Sequence, residues 1–312
     1  MRAKATLARK LAFWLTYPFH LCGVVLVQLF MLFQVGFFNT LMRWRTEQPP
    51  DKVKQLHQQW LARESRYTAG INSVSVIVPM FNEASSIKRC LCALATRAAD
   101  RSRVEIIVVD AGCTDNTMEE VQRVADELMS SMKDPPMLMA TVSQGGRGAA
   151  INTGIREASG DVILMLHADT VLPESWDRHV VHELKNPEVL MTAFSFACDR
   201  QQLRSAYAPA GLRLMEMTVN LRSKWYQLPF GDQALAICTR QLASAGGLRS
   251  YPILEEYELV NRLRALSAAG GGRIVTLPQK ALCSPRRCEH THMHVHVCVR
   301  VHVHMHAHTH MH

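Results

Sequence analysis

The sequence predicts an α/β domain whose mostly parallel sheet carries helices on both faces, preceded by one transmembrane helix. Short, β-branched apolar runs at residues 104–109 and 162–166 are typical of buried parallel strands. Amphipathic segments alternate with these runs, and this alternation indicates a layered α/β architecture. Near the amino terminus, a longer apolar stretch has the length that a bilayer requires.

Composition limits the classes of protein to which the chain can belong. Its 312 residues are 48% hydrophobic, which is enough to bury one domain core and an appendage. The net charge of +8 is scattered and has no aromatic residues interleaved with it, so we expect no nucleic-acid partner. The nine cysteines follow no spacing framework, which favours a reducing compartment over a disulfide scaffold.

Residues 1–45 are predicted to form a basic amino terminus and a single-pass transmembrane helix. Within them, residues 22–41 supply about 20 mostly apolar residues without Asp, Glu, Lys or Arg, enough to cross a bilayer. Basic residues flank both ends of the stretch, so the charge rule does not fix its orientation. A buried core helix is the alternative interpretation. A polar linker is expected at 46–70.

Strands and helices are predicted to alternate through the first part of the domain, which begins near residue 71. The strands are expected at 73–79, 104–110, 137–142 and 162–166, and the helices between them at about 84–99, 115–132 and 148–158. Asn82 is the expected cap of the first helix. The alternation implies parallel strands with right-handed connections. Beyond Pro173 the pattern loosens, with helices expected around 176–185, 203–222 and 255–268 and a strand near 190–196.

The tail at 288–312 alternates histidine with small or apolar residues almost without a break. Histidine at every second position puts imidazoles on one face of an extended chain, which would suit a metal-binding tract. Every residue from His290 is also compatible with one alternating purine–pyrimidine codon repeat. We therefore favour a translated low-complexity repeat that has no part in activity.

Polar side chains follow two of the predicted strands. Asp110 comes directly after the second strand, and His167 and Asp169 follow the fourth. Ligands of an open α/β sheet bind in the crevice outside the carboxyl ends of its strands, so these side chains should face one cleft. A glycine-rich loop with Arg147 lies between them in sequence. The combination indicates a phosphorylated ligand held together with a divalent cation.

Seven segments resemble, in order and spacing, the family 2 glycosyltransferases of the GT-A (Rossmann-like) fold. They are VPMFNE, VVDAGCTDNT, GGRGAAINTG, LHADT, PFGDQA, GGLRSYPILEEYEL and CSPRR. The resemblance covers about residues 73–287. Within the family, the chain is most similar to the branch with a Leu-His-Ala-Asp strand end and a Gly-Asp-Gln segment. It implies a glycosyltransferase domain at 71–287 that binds a UDP- or GDP-linked sugar donor.

The resemblance also implies which residues bind the nucleotide-sugar. They are Pro79, Asn82 and Glu83 near the base and ribose, Asp110 and Gly112 at the base, Arg147 and Asn152 by the diphosphate, the segment His167, Ala168 and Asp169, and the late basic pair Arg286 and Arg287. The residues alone leave other interpretations open. Glu83 would also suit a solvated first helical turn, Asp110 would also cap a turn, and Asn152 would also support the loop.

His167, Ala168 and Asp169 stand where the family has its Asp-x-Asp metal motif. Mg²⁺ and Mn²⁺ prefer oxygen ligands and bridge to substrate phosphates, so Asp169 is the expected metal ligand. His167 replaces the first aspartate, and its imidazole suits Mn²⁺ better than Mg²⁺. The alternative is that His167 only donates a hydrogen bond to the base or to Asp169.

Glu255 and Glu256 match the family's Glu-Asp pair, whose second member is the general base. An inverting transfer needs a carboxylate that takes a proton from the acceptor hydroxyl, which typically contributes about 10²–10⁴-fold. Glu256 reaches one methylene further than the usual aspartate. Asp232 of the Gly-Asp-Gln segment is the alternative base. Glutamates at a helix start can also complement the helix dipole, a role that we assign to Glu258.

The resulting hypothesis is a membrane-anchored, metal-dependent inverting glycosyltransferase. Because nucleotide-activated donors are made in the cytosol, the catalytic domain is expected there. A catalytically silent protein that binds nucleotide or a partner at the membrane is the alternative from another class. A sugar-phosphate nucleotidyltransferase would need a glycine-rich loop after the first strand, where this chain has VPMFNEASS. Sugar, nucleotide and acceptor do not follow from the sequence.

Overall fold

The computed structural model describes residues 70–202, 212–249, 251, 255–268 and 271–285. The chain divides into two compact units. The larger comprises Gln48–Asp199 and Val219–Ser284, and the smaller comprises Met1–Glu47, Arg200–Thr218 and Pro285–His312. In the smaller unit, Arg200 pairs with Glu216 at 2.8 Å.

The predicted transmembrane helix, almost all of the linker, the histidine-rich tail and the pair Arg286 and Arg287 lie outside the described residues. Among the helices that the structure describes, none combines the length and the apolar character needed to span a bilayer. The transmembrane helix therefore stays a prediction.

One eight-stranded sheet lies in the larger unit. Its strands are β1 (Val74–Met80), β2 (Val104–Asp110), β3 (Met137–Val142), β4 (Val162–Met165), β5 (Thr170–Val171), β6 (Val189–Cys198), β7 (Leu235–Cys238) and β8 (Arg273–Cys283). They lie in the order β3-β2-β1-β4-β7-β6-β8-β5. The first four are parallel to one another, as their alternation with helices predicted.

The rest of the sheet is mixed, which corrects the expectation of a mostly parallel sheet. β7 runs antiparallel to both β4 and β6, β5 runs antiparallel to β8, and β6 and β8 are parallel. β5, β7 and β8 were not predicted, and the longest of them is β8. Its apolar alternation is broken by Pro278 and Lys280, and its register with β6 shifts between Phe194 and Ser195. Periodicity does not detect a strand with such interruptions.

Seven helices are described: α1 (Ile87–Arg97), α2 (Thr117–Ser131), α3 (Arg147–Glu157), α4 (Trp176–Leu184), α5 (Leu212–Tyr226), α6 (Thr239–Ser244) and α7 (Glu255–Ala268). Helices cover both faces of the sheet, as predicted. Val76 and Val78 of β1 share one core cluster with residues of α1, α2 and α4, such as Trp176. On the opposite face, Gly154 of α3 lies so close to β1 that a Cβ atom there would approach Ile77 Cγ2 to 2.5 Å.

A buried carboxylate joins the amino ends of three parallel strands. Glu105 of β2 accepts hydrogen bonds from Ser75 Oγ, from the Ser159 amide at 2.6 Å and from the Gly160 amide at 3.2 Å. Burial alone would raise the pKa of Glu105, but these hydrogen bonds outweigh it and lower the pKa. The charged form therefore stabilises the fold.

We predict that Glu105→Gln lowers the free energy of unfolding by about 1–3 kcal/mol, because two amides and two hydroxyls lose a charged acceptor. Urea unfolding at pH 7 measures the loss, and Glu119→Gln, an exposed change on α2, is the control. Because the folded pKa is lowered, this stabilisation is present above the unfolded value of about 4.3 and is lost as pH falls through the folded value. A difference that stays constant down to pH 3 would contradict this assignment.

Candidate active site

The carboxyl edge of the parallel strands gathers the predicted site residues. Met80 of β1 pairs with Asp110 of β2, and Ile77 of β1 pairs with Met165 of β4. The turn that contains His167 and Asp169 therefore leaves the same edge as Asp110, with β1 between them. Two strand spacings separate them, which is about 10 Å.

Asn82 joins the two loops that follow β1 and β2. Its backbone has a φ of 54°, and its side-chain Oδ1 accepts hydrogen bonds from the amides of Thr114 at 2.8 Å and Asp115 at 3.3 Å. The prediction that Asn82 caps α1 is wrong, because Ser86 occupies the cap position. The side chain of Asn82 does not cap the helix, because it accepts hydrogen bonds from amides of the loop after β2.

Glu83 and Pro79 complete the first loop. Glu83 accepts a hydrogen bond from Ser86 Oγ at 2.5 Å, and its own amide donates to Thr117 Oγ1 at 2.8 Å. Pro79 is half-buried in β1 and pairs with Val109. These contacts hold the loop, and the nucleotide-binding roles of both residues stay predictions.

Asp110 caps the turn that begins α2. Its Oδ1 accepts hydrogen bonds from the amides of Gly112 at 2.9 Å and Cys113 at 2.7 Å. Burial would raise the pKa of Asp110, but these bonds outweigh it and lower the pKa. Gly112 has a φ of 99°, a conformation that favours glycine. The turn-capping alternative is therefore present in the structure, and recognition of a base by Asp110 stays a prediction.

Phe81 is a residue at this edge that sequence reasoning missed. Its side chain is 61% exposed, directly after β1 and beside Asn82. A single phenylalanine after an apolar strand is indistinguishable in sequence from a core residue. An exposed ring of this kind offers a flat apolar surface to a ligand at the edge.

Two glycines shape the loop that precedes α3. Gly145 and Gly146 have φ values of 105° and 87°, and Arg147 is the first residue of the helix. Gly148 allows a close backbone approach, because a Cβ atom there would lie 2.6 Å from the carbonyl oxygen of Tyr251. The glycines therefore bring the start of α3 against the segment that leads into α7.

Arg147 contacts both glutamates at the start of α7. Its Nη2 donates to Glu256 Oε1, and its Nε lies 3.3 Å from Glu255 Oε1 in an ionic contact without hydrogen-bond geometry. Burial would lower the pKa of Arg147, but Glu256, Glu255 and, more weakly, Asp232 outweigh it and raise the pKa. The residue predicted to bind a diphosphate is thus paired here with the predicted base.

The two glutamates differ in the direction of their pKa shifts. Glu256 is 5% exposed, and burial would raise its pKa, but Arg147 and the nearby His167 hold the pKa at about 2. Glu255 is 1% exposed, and burial together with the charge of Glu256 raises its pKa. His167 Nε2 lies 3.9 Å from Glu256 Oε1, too far for a hydrogen bond.

The Gly-Asp-Gln segment forms a 3₁₀ turn, Gly231–Gln233, against the same carboxylate. Gly231 lies so close to Glu256 that a Cβ atom there would be 2.8 Å from Cδ of the glutamate. Asp232 contributes to the electrostatic field at Arg147. Asp232 was predicted as the alternative base, and the structure brings the Gly-Asp-Gln turn to the cluster formed by Arg147, His167, Glu255 and Glu256.

The remaining predicted residues occupy different surroundings. Ala168 is buried in the core, and Asn152 is half-buried on α3. Asp169 lies in the turn after β4, with its Oδ1 3.5 Å from Thr170 Oγ1. Glu258 pairs with Arg262 at 2.8 Å, away from the cluster.

A divalent cation would find an incomplete set of protein ligands. Within the described part of the chain, no three His, Cys, Asp or Glu side chains form a group that would hold a metal. Mg²⁺ and Mn²⁺ are often bound by one or two protein ligands together with substrate phosphates and water. Asp169 and His167 fit that kind of site. His167 Nε2 is buried and makes no hydrogen bond to another described residue, so it is available as a ligand.

Relatives of known name match part of the chain. It is 34% identical over 109 residues to glycosyltransferase AglE of Haloferax volcanii, which covers 35% of this chain and 34% of that protein. It is 31% identical over 113 residues to a dolichol-phosphate mannosyltransferase of Pyrococcus furiosus, covering 36% and 30%. The chain thus matches about a third of the length of these relatives.

A solved structure and a family profile complete the comparison. The mannosyltransferase PcManGT of Pyrobaculum calidifontis, in complex with GDP-Man and Mn²⁺, aligns with a TM-score of 0.49 and 18% identity over 75% of this chain and 67% of that one. The profile of the family described as Glycosyl transferase family 2 matches residues 75–246, more than half of the chain. The matched residues include all of β1 except Val74, the strands β2 to β4, Arg147, the turn with His167 and Asp169, and the Gly-Asp-Gln turn. The chain therefore belongs to glycosyltransferase family 2.

Proposed function

We propose that the protein transfers a sugar from a nucleotide-diphospho-sugar to an acceptor, with inversion at the sugar carbon. One observation carries the proposal: Arg147, His167 and Glu256, from three separate elements, meet around a buried carboxylate at the carboxyl edge of the sheet. Ligands of open α/β sheets bind at this edge. A buried carboxylate can accept a proton, and a guanidinium beside it can bind a diphosphate.

Glu256 is the proposed general base. A pKa of about 2 makes it a weak proton acceptor while Arg147 is bound to it. A donor diphosphate is also an anion and competes for the same guanidinium. Once Arg147 turns to the diphosphate, the pKa of Glu256 rises and its carboxylate becomes a stronger base. The donor thereby activates the base. Glu256 then takes the proton of the acceptor hydroxyl, whose oxygen bonds to the sugar carbon as the bond from that carbon to the nucleotide diphosphate breaks.

Asp169 and His167 are the proposed residues that hold Mn²⁺ or Mg²⁺ against the donor phosphates. A cation held by these two residues would offset the negative charge on the departing diphosphate. Asp169 lies in the same turn after β4 as His167, and His167 Nε2 lies 3.9 Å from Glu256 Oε1. One of the proposed metal ligands is therefore next to the proposed base.

We include an acceptor presented at a membrane in the proposal. Two relatives are named for lipid phosphates, the dolichol-phosphate mannosyltransferase of Pyrococcus furiosus and an undecaprenyl-phosphate 4-deoxy-4-formamido-L-arabinose transferase of Pseudomonas syringae pv. syringae. The apolar stretch at 22–41 supports the same location. A cytosolic face for the catalytic domain belongs to this proposal as well.

A silent nucleotide-binding protein is the second candidate, and one observation favours it. The contact between Arg147 and Glu256 keeps the carboxylate in its weakly basic form. If that contact persisted with donor bound, the protein would bind nucleotide without transferring a sugar. Turnover separates the two candidates.

We predict that Glu256→Gln lowers the Mn²⁺-dependent release of UDP or GDP from a sugar donor by about 10²–10⁴-fold, because the amide cannot accept the proton. Glu258→Gln, the same change on the same helix, should retain turnover because Glu258 pairs only with arginines outside the cluster in the described structure. Release that is absent from the parent protein with every UDP- and GDP-sugar would favour the silent protein.

The pH dependence of kcat/KM should report the influence of Arg147. The guanidinium lowers the pKa of Glu256, so Arg147→Met raises that pKa and moves the acid limb of the profile to higher pH. Arg156→Met, on the exposed side of the same helix, should leave the limb in place. An acid limb that does not move in Arg147→Met would contradict the assignment of Glu256 as base.

Asp169→Asn should weaken Mn²⁺-dependent nucleotide binding by about tenfold or more, because the neutral amide is a poor ligand for a hard cation. Calorimetric titration of UDP and GDP with Mn²⁺, and again with chelator, measures the metal-dependent part. Asp134→Asn on the surface is the control. Equal metal dependence of nucleotide binding in Asp169→Asn and Asp134→Asn would show that Asp169 is not a metal ligand.

A further inference from the structure

The carboxylate of Glu256 leaves no space for a side chain at Gly231. Gly231 is not among the residues with positive φ, so its backbone conformation does not require glycine. A Cβ atom at this position would lie 2.8 Å from Cδ and 2.9 Å from Oε1 of Glu256, and closer still to Oε2. Such atoms do not approach one another to less than about 3 Å without a shift. Either the turn or the glutamate would have to move.

Hydrogen bonds on both sides hold the Gly231–Gln233 turn in place. Gln233 is fully buried, accepts a hydrogen bond from the Phe230 amide at 2.9 Å and donates to Phe194 O of β6 at 2.9 Å. On the other side, Cys283 Sγ of β8 donates to Asp232 O at 3.2 Å. Two strands of the sheet therefore fix the position of Gly231.

The residue before Gly231 is fixed as well. The guanidinium of Arg222 lies 3.6 Å from the centre of the Phe230 ring, a cation–π contact, and Arg222 is itself buried. A larger side chain at position 231 would therefore displace the glutamate and not the turn. Displacement of Glu256 would move its carboxylate from its place beside Arg147 and His167.

We propose that Gly231 is a positioning residue for Glu256: the missing side chain is what admits the longer glutamate to its place beside Arg147 and His167. Gly231 acts through Glu256 and touches no reacting atom. An aspartate at position 256 would end about 1.5 Å earlier and would leave room for a Cβ atom at 231. The two positions therefore form a matched pair of sizes. This inference rests on the proposed function for its catalytic consequence only.

The test compares the parent protein with Gly231→Ala, Glu256→Asp and the variant with both changes. Gly231→Ala should lower kcat by about 10- to 100-fold, since a misplacement of about 1 Å costs that much, while KM for the donor changes less than about threefold. In the Glu256→Asp background the same change should lower kcat by less than about threefold. This rescue is the result that a merely structural glycine would not give.

Gly271→Ala is the matched control for steric damage. A Cβ atom at Gly271 would lie 2.7 Å from Leu266 O, a clash of similar size about 15 Å along α7 from Glu256. Gly271→Ala should lower the urea midpoint without lowering kcat, and Glu256→Asp should not relieve this loss of stability. Relief of both clashes by Glu256→Asp would overturn the inference, because the pairing would not be specific.

Urea unfolding of the four proteins tests the pairing without activity. Gly231→Ala should lower the midpoint in the parent, and should lower it at most half as much in the Glu256→Asp background. If the parent transfers no sugar but the midpoints show this coupling, the proposed function fails and the pairing stands. Equal losses in both backgrounds, an unchanged kcat in Gly231→Ala, or a doubly changed protein that does not fold would each overturn it.

Discussion

The site depends on neutralising two buried carboxylates that lie side by side. Glu255 and Glu256 are both almost fully enclosed, and charges removed from water are costly unless they are paired. Arg147 supplies the pairing, so α3 and α7 must begin next to each other. The glycine-rich loop before α3 and the small residue in the Gly-Asp-Gln turn permit this approach. Removing the Arg147 guanidinium would leave an uncompensated negative charge at the centre of the site.

The buried network around Glu105 and the candidate site lie at opposite edges of the same parallel strands. At the amino edge, Glu105 collects hydrogen bonds from the start of β1 and from the turn before β4. At the carboxyl edge, Asp110 and the turn after β4 face outward, where a ligand binds in this architecture. The first network fixes the strands in register, and the strands in turn fix the spacing of the side chains at the other edge. A rigid sheet of this kind holds groups from distant parts of the chain in one place.

Much of this arrangement could be predicted from sequence because local patterns encode it. The alternation of apolar runs and amphipathic segments specified four parallel strands, and the polar residues after them specified the edge. The partner of Arg147 could not be predicted, because a guanidinium binds a phosphate and a carboxylate through the same geometry. β8 was missed because Pro278 and Lys280 interrupt its pattern, and Asn82 was misplaced because its partners lie more than thirty residues away.

The side chain of Asn82 has a consequence for motion at the mouth of the site. It binds amides of the loop after β2 while its own backbone belongs to the loop after β1. Neither loop can open without breaking bonds that belong to the other. We therefore expect the amide hydrogens of Thr114 and Asp115 to exchange with solvent only when the two loops separate.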